Sequence, residues 1–539
     1  MKPAIASIIL ILVCGSVLTA QQPPAYVNLI PQQTPLRNQG GRTTCITFAS
    51  LAALEAAYKR AGYGDIDLSE QFLNYLGKTF WLDPKWNDIL ARGEDGKEAQ
   101  VGAYGGGQAV SYIRGLASGL KVPEEAAMPY VSREYNANDF PALSHNWDDP
   151  YWLKQKRMSD FNLDTRFLPN AALIADKYYS IKSYQELNGN DVNALERVLA
   201  SGKELAWDID GAFPNTPVWD VCSNCQTGAH AMLIVGYDRR DPDPKKHVFI
   251  IKNTWGATRF PDGYTRVTYD YVKKYGLRAA YITEVNPPGR WYELGFVGRW
   301  FMDFDGHKGI LDIYHLPHVS EYVFRNEGVN TADMRVGSFY ENGKAFKVNG
   351  VIEGQSIRFY IDPDNPNMRW DILKGRMFSF ALLQDKGNVM AGTFRDTDGK
   401  VYGGYARKDN AAAYTNIAIN DNENSSYYRG SWLLRFGGME ARLQVREPAE
   451  NLREQTGVYD VFRADLSVDG KSYEGKLLVE KNNLNHILLQ APQLLANNKA
   501  AGHLDGLRLN FNKATVAGKV LYEDRTQSGF IMTRLVRGL

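Results

Sequence analysis

The chain is short of cysteine, of net charge and of long apolar runs, and each shortage closes off a class of protein. Four cysteines among 539 residues are too few for a disulfide framework, so packed apolar cores have to hold the fold. Lysine and arginine number 62 against 61 aspartates and glutamates, a formal charge of +1. No basic surplus is left to drive counterion release from a phosphate backbone, and nucleic acid is not an expected partner. The N-terminal apolar run, Ile5 to Val13, falls short of the ~20 residues that a membrane-crossing helix needs. It follows Lys2 and leads into small and polar residues ending in Leu18-Thr19-Ala20, the pattern of a secretory signal. Residues 1–20 are therefore expected to be removed, which takes the formal charge to zero. The mature chain is expected to be secreted or periplasmic, with no transmembrane span.

What is present is an ordinary globular composition, 44% hydrophobic and 23% charged, in a chain too long for one core. Residues 25 to about 285 mix helical and strand periodicities, whereas from about 290 onward short alternating strands are separated by Gly, Asn and Asp turns. The stretch Glu284-Val285-Asn286-Pro287-Pro288-Gly289 separates the two regimes. The β-rich half reads as a duplication. Gly298-Arg299-Trp300 opens one copy and Gly430-Ser431-Trp432 the other, and Val389 to Phe394 corresponds to Thr515 to Val520. Each copy parses into about eight strands, the number that closes a small filled barrel, so two barrels or two sandwiches are expected. The predicted division is 21–289 for a mixed α+β domain, then 290–420 and 421–539 for the two all-β modules. Their glycine-punctuated strands faintly resemble lipocalin or avidin barrels, a likeness that names no binding residue.

Removal of the signal would leave three cysteines. Cys222 and Cys225 are close enough to bridge, and Cys45 remains as an odd thiol, the pattern of a reactive cysteine. Phe48, Leu51, Ala52, Leu54 and Tyr58 recur at helical spacing after Cys45, so the sulfur sits in a first helical turn, where N–H groups and the dipole favour a thiolate. Thr43 and Thr44 are the candidate caps. Downstream, His230 opens an apolar strand and Val248 to Ile251 forms another, with the turn Arg239 to Pro244 between them. Paired symmetrically about that turn, His230 and Asn253 would face each other at ~5 Å between Cβ atoms, and the amide would orient the imidazole. Trp255 would shield their hydrogen bond from water. Gln39 and the Cys45 N–H would make a two-donor oxyanion site.

In this order, Pro35-Leu36-Arg37-Asn38-Gln39-Gly40, Cys45 with Phe48, Leu68-Ser69-Glu70-Gln71, the glycine run 105–107, Pro129-Tyr130, Gly228 to Tyr237 and Ile251 to Gly263 resemble the papain family of cysteine peptidases. The resemblance implies a two-lobe domain with a cleft between a helical and a β-rich lobe. It implies Cys45 as nucleophile, His230 as base, Asn253 as orienting amide and Gln39 as oxyanion donor. Gly106, Gly107 and Ala229 would line the substrate cleft with Trp255, and no cofactor is called for. A zinc site at Cys222 and Cys225 would need two further ligands, and borrowing His230 would abolish the base.

Departures from the family are plain. Arg42-Thr43-Thr44-Cys45-Ile46 stands where the family has Cys-Gly-Ser-Cys-Trp, so the disulfide usually anchored there cannot form. Excess length between Cys45 and His230 is expected in two inserts, Thr79 to Tyr104 and Asn136 to Asn170. The stretch between Ala20 and Cys45 is too short for a long inhibitory propeptide, which would shift any latency to the inserts or the C-terminal modules. The expected partner is a peptide or protein substrate, with a glycan or protein ligand for the β modules. The alternatives are a papain-fold protein that binds peptides without cleaving them, and an adhesion or carbohydrate-binding protein whose main activity lies in the β half.

Overall fold

The computed structural model describes residues 23–76, 108–132, 168–304 except 259 and 261, 307–313, 335–361, 376–383, 387–408 except 397 and 398, 424–447, 457–509 except 499, 514–523 and 527–535. The expected signal segment, the glycine run with Gly106 and Gly107, and nearly all of the two expected inserts lie outside them.

Apart from Glu55, helix α1 (Cys45–Tyr58) is apolar or small on every side rather than along one stripe. Such a helix has no face to offer water, and every residue in it except Cys45 and Ala52 is buried. One side packs on α2 (Glu70–Leu76) and α3 (Ala109–Ala117), and the other on a sheet. That sheet comprises β1 (Tyr26–Asn28), β2 (Ile181–Asn188), β3 (Leu205–Ala212), β4 (Val218–Trp219), β5 (Thr227–Asp238), β6 (Val248–Lys252), β7 (Tyr264–Thr268) and β8 (Gly276–Val285). Its order is β2-β8-β3-β5-β6-β7-β4, with β1 joined to β5. The helix that Cys45 begins thus lies where helical and β-rich lobes meet, and this half is a papain-like domain.

The hairpin of β5 and β6 departs from the symmetrical register. Leu233 stands opposite Lys252 and Ile234 opposite Ile251, but Gly236 opposite Ile250, so Val235 is bulged out of the ladder. Its carbonyl instead accepts the N–H of Leu29 at 2.8 Å. On the other edge of β5, His230 pairs with Ile209 of β3, and Asn253 lies one residue beyond the paired part of β6.

Two closed eight-stranded antiparallel barrels follow. The first runs from Gly298–Phe304 to Val401–Arg407, which pair with each other (Met302 opposite Ala406); the second runs from Gly430–Phe436 to Gln527–Arg534, closed by Leu434 opposite Met532. Both begin alike. A short 3-10 turn, Tyr292–Phe296 or Ser425–Tyr428, precedes a glycine at φ +123° or +119°, a conformation that other residues rarely adopt. Next comes a wholly buried tryptophan whose indole N–H donates back into the turn: Trp300 to Phe296 O at 2.7 Å and Trp432 to Tyr428 O at 2.8 Å. A basic side chain from the end of the barrel covers each indole, Lys408 Nζ 4.9 Å and the Arg534 guanidinium 5.6 Å from the ring centre.

Rings fill the first interior: Phe304, Phe359, Phe378 and Phe394 interlock with centroids 4.6–5.7 Å apart. Aliphatic residues such as Leu434, Leu443, Leu477 and Ile487 dominate the second. The two barrels press together through Leu383, Ala391 and Tyr405 against Leu509, Ala517 and Ile531. Glycine makes that approach possible, because a Cβ on Gly403 would stand 2.1 Å from the Leu507 carbonyl oxygen. The first barrel also shares a continuous core with the papain-like half, where Trp291 meets Tyr178 edge to face at 6.0 Å. No helix among the described residues is long and apolar enough to cross a membrane.

Gly403→Val is expected to pry the barrels apart, lowering the melting temperature and raising the radius of gyration in small-angle scattering. An unchanged radius and melting temperature would refute that account of the contact.

Candidate active site

Cys45 begins α1 with its thiol free, and its sulfur lies near enough to the backbone N–H groups of Ile46, of Cys45 itself and, across the lobes, of Ala231 for their dipoles to favour its charge. Ala231 directly follows His230 on β5, so the helix start and the histidine strand meet at the sulfur. Thr44 occupies the capping position but makes no cap hydrogen bond; its hydroxyl lies 2.7 Å from the Tyr130 hydroxyl instead.

The N–H groups at the helix start favour the thiolate, but burial outweighs them. Burial pushes the Cys45 thiol up to about 11, the nearby Asp208 carboxylate adds to the rise, and the three N–H groups offset it only in part. The magnitudes explain the outcome. A helix terminus is worth up to ~2 kcal/mol, or about one and a half pKa units, whereas full burial of an ionisable group shifts it by up to ~3–5 units. A lone thiolate is therefore unfavourable here, and the sulfur needs a neighbour that can take its proton and stay close as a cation.

His230 is buried, with Nε2 3.0 Å from Asn253 Oδ1. The side chains meet despite the shifted strand register, because Asn253 follows the end of β6. Its amide orientation is fixed twice over: Nδ2 donates to Thr265 Oγ1 at 3.2 Å, and Oδ1 accepts the Thr254 N–H at 2.8 Å. Since Oδ1 only accepts, Nε2 carries the hydrogen and Nδ1 is the basic nitrogen of the neutral ring. Trp255 stacks on the imidazole at 4.8 Å with planes 15° apart, and Phe213 meets its edge at 5.7 Å. The indole thereby covers the hydrogen-bonded ring.

Gln39 is buried beside the loop that leads to Cys45. Its Oε1 accepts the Thr254 hydroxyl and its Nε2 donates one hydrogen to Arg42 O at 2.7 Å. The Arg42 carbonyl, which can only accept, settles which end of the amide is nitrogen, and one N–H remains for a further acceptor. Ala229 is exposed on β5 opposite Asp210. A disulfide joins Cys222 to Cys225 in the loop before β5. Among the described residues no group of three or more His, Cys, Asp or Glu side chains is placed to hold a metal ion.

Thr254 and Thr265 escape a reading by motif, since their roles depend on side chains far away in sequence. Asp208 does too. It stands opposite Ala231 in the β3–β5 ladder, is 4% exposed, and accepts the Ala109 and Val110 N–H groups at 2.8 and 3.2 Å, capping α3. Burial pushes its carboxyl up to about 6. No signal in the sequence marks it, because alternation sets Asp208 beside Asp210 on the face opposite Trp207 and Ile209, where a charge is ordinary.

Residues 98–285 match the model of the papain family of cysteine proteases, a stretch that includes His230 and Asn253 and begins after Gln39 and Cys45. Ananain of Ananas comosus is 24% identical over 250 residues, covering 45% of this chain and 55% of that protein. Cysteine proteinase 3 of Solanum lycopersicum is 25% identical over 236 residues, covering 43% and 52%. The chain spans about half the length of these curated relatives.

Asp208 titrates near 6 and is neutral below that; above it, the charge opposes the thiolate. Asp208→Asn is expected to move the midpoint of Cys45 alkylation against pH to lower pH. A midpoint that stays or rises would mean that the carboxylate does not act on the sulfur.

Proposed function

We propose that the papain-like half hydrolyses peptide bonds through a thioester, with Cys45 as nucleophile, His230 as base and then acid, Asn253 as orienting amide and Gln39 as oxyanion donor. The observation that carries the reading is the packing of the helix that begins at Cys45 against the strand of His230, whose Nε2 is committed to Asn253 at 3.0 Å. With that nitrogen committed, Nδ1 is the one to receive the thiol proton.

His230 takes the proton as Sγ attacks the scissile carbonyl carbon and the π electrons move to oxygen. The Cys45 N–H and the remaining Gln39 N–H stabilise that oxyanion. On collapse the C–N bond breaks, and the imidazolium returns its proton to the departing amine. Water then attacks the thioester, His230 removes its proton, and the carboxylic acid leaves as the thiol reforms. Burial that penalises a lone thiolate makes the imidazolium partner necessary at neutral pH.

The chain is read as a secreted or periplasmic peptidase divided at 21–289, 290–420 and 421–539. The β modules serve targeting or regulation through a protein or glycan ligand. Their interiors are packed with side chains among the described residues, so such a ligand would bind an outer surface.

Cys45→Ala is expected to abolish turnover of fluorogenic peptides while preserving the fold, and Gln39→Ala to lower kcat by about 10²–10³ with little change in KM. Parent-like cleavage by Cys45→Ala would sink the reading. Binding without cleavage by the parent would favour a non-catalytic peptide receptor.

A further inference from the structure

We propose that Tyr130 and Arg42 are positioning residues that clamp the loop between Gln39 and Cys45, fixing the spacing of the two oxyanion donors. The proposal rests on the peptidase reading above. That loop invites motion: Gly40 sits at φ +62°, and Gly40, Gly41 and Thr43 are exposed. Cys45 is free, so no disulfide at the nucleophile holds it.

Polar contacts tie it down instead. The Tyr130 hydroxyl donates to the Gln39 carbonyl at 2.8 Å. Its single hydrogen being used there, the Thr44 hydroxyl 2.7 Å away is the donor to the phenol oxygen. One oxygen atom therefore joins the residue that carries one oxyanion donor to the residue just before the other. Arg42, 5% exposed in the middle of the loop, sends Nη1 to Gln71 Oε1 of α2 at 2.6 Å and to Val131 O at 2.8 Å. Its guanidinium lies 4.9 Å over the Tyr130 ring, and its carbonyl receives the Gln39 amide at 2.7 Å. Phe48 of α1 meets the other side of the clamp, edge to face with Tyr130 at 4.8 Å.

The sequence position adds meaning. Arg42 stands where the resemblance leads one to expect a half-cystine, so a charged side chain with several donors spans a gap that a covalent bridge would otherwise close. Its function is geometric, because an ångström of drift between oxyanion donors can cost about 10²-fold in rate.

The test uses Tyr130→Phe in the full chain, which keeps the ring and removes the oxygen. Three quantities are compared with the parent: kcat and KM on fluorogenic peptidyl amides, the affinity of a peptidyl aldehyde, and the rate of Cys45 alkylation by iodoacetamide across pH. The aldehyde forms a hemithioacetal, in which a new S–C bond replaces the carbonyl π bond and the oxygen occupies the oxyanion site. Alkylation by iodoacetamide makes no oxyanion. The expected result is a fall of about 10–10²-fold in kcat and in aldehyde affinity, with KM within twofold and the alkylation profile unchanged. Arg42→Lys should show the same pattern more weakly.

Unchanged kcat and aldehyde affinity, or an alkylation rate falling in step with them, would overturn the clamp. If Tyr130→Phe does not fold, Thr44→Val, which removes the donor to the phenol oxygen, is read by the same ratios. A parent chain that iodoacetamide does not label at Cys45, together with a Cys45→Ala variant that still cleaves, would refute the peptidase reading itself. A labelled, Cys45-dependent parent with an indifferent Tyr130→Phe refutes the clamp alone.

Discussion

The hydrogen bond between His230 Nε2 and Asn253 Oδ1 is the contact on which the chemistry of the site depends, because it decides which imidazole nitrogen is basic. Three consecutive residues after β6 serve that end. Asn253 holds the ring, Trp255 stacks over it, and between them Thr254 turns away to hold Gln39. The chain bends at Thr254, so one short segment addresses both His230 and Gln39.

Burial gives the site its character and its cost. The helix that carries Cys45 is enclosed by both lobes, so its start is preorganised but poor in water, and the thiol is held in its neutral form. Polar groups along the same helix are matched with care. Glu55, buried in α1, accepts the Leu68 N–H at 2.9 Å and the Thr34 hydroxyl at 2.5 Å, while Lys252 reaches the same threonine at 2.8 and 3.0 Å. Burial pushes the Glu55 carboxyl up and the Lys252 ammonium down to about 8. Removing either partner would strand the other without compensation, the costly way to break a buried charge pair.

The β half solves one packing problem twice with different side chains. Both barrels close around a tryptophan tied to a 3-10 turn and covered by a basic group, yet one interior is a cluster of phenylalanines and the other is largely aliphatic. A barrel interior demands volume and apolarity more than particular residues, so interiors drift while the turn, the glycine and the tryptophan keep their geometry. Shared packing with Trp291 on one side and glycine-mediated contact between barrels on the other join the three units into one body.

Local pattern alone determined much of this protein. The helix after Cys45, the eight-strand repeats opened by Gly298 and Gly430, and the gathering of Gln39, His230 and Asn253 as one set were legible because spacing and periodicity record which residues share a face or a turn. The register of β5 and β6 was not. It turns on where the connection falls, with Asp238 opposite Val248, and on a bulge at Val235, whose carbonyl accepts the N–H of Leu29 some two hundred residues earlier. Neither the elevated Cys45 thiol nor the Asp208 carboxylate behind it was visible, since desolvation depends on what every other part of the chain places nearby. Sequence fixes which groups are available at each position; only the packed tertiary structure sets how far each one lies from water and from its partners, and those distances decide the chemistry.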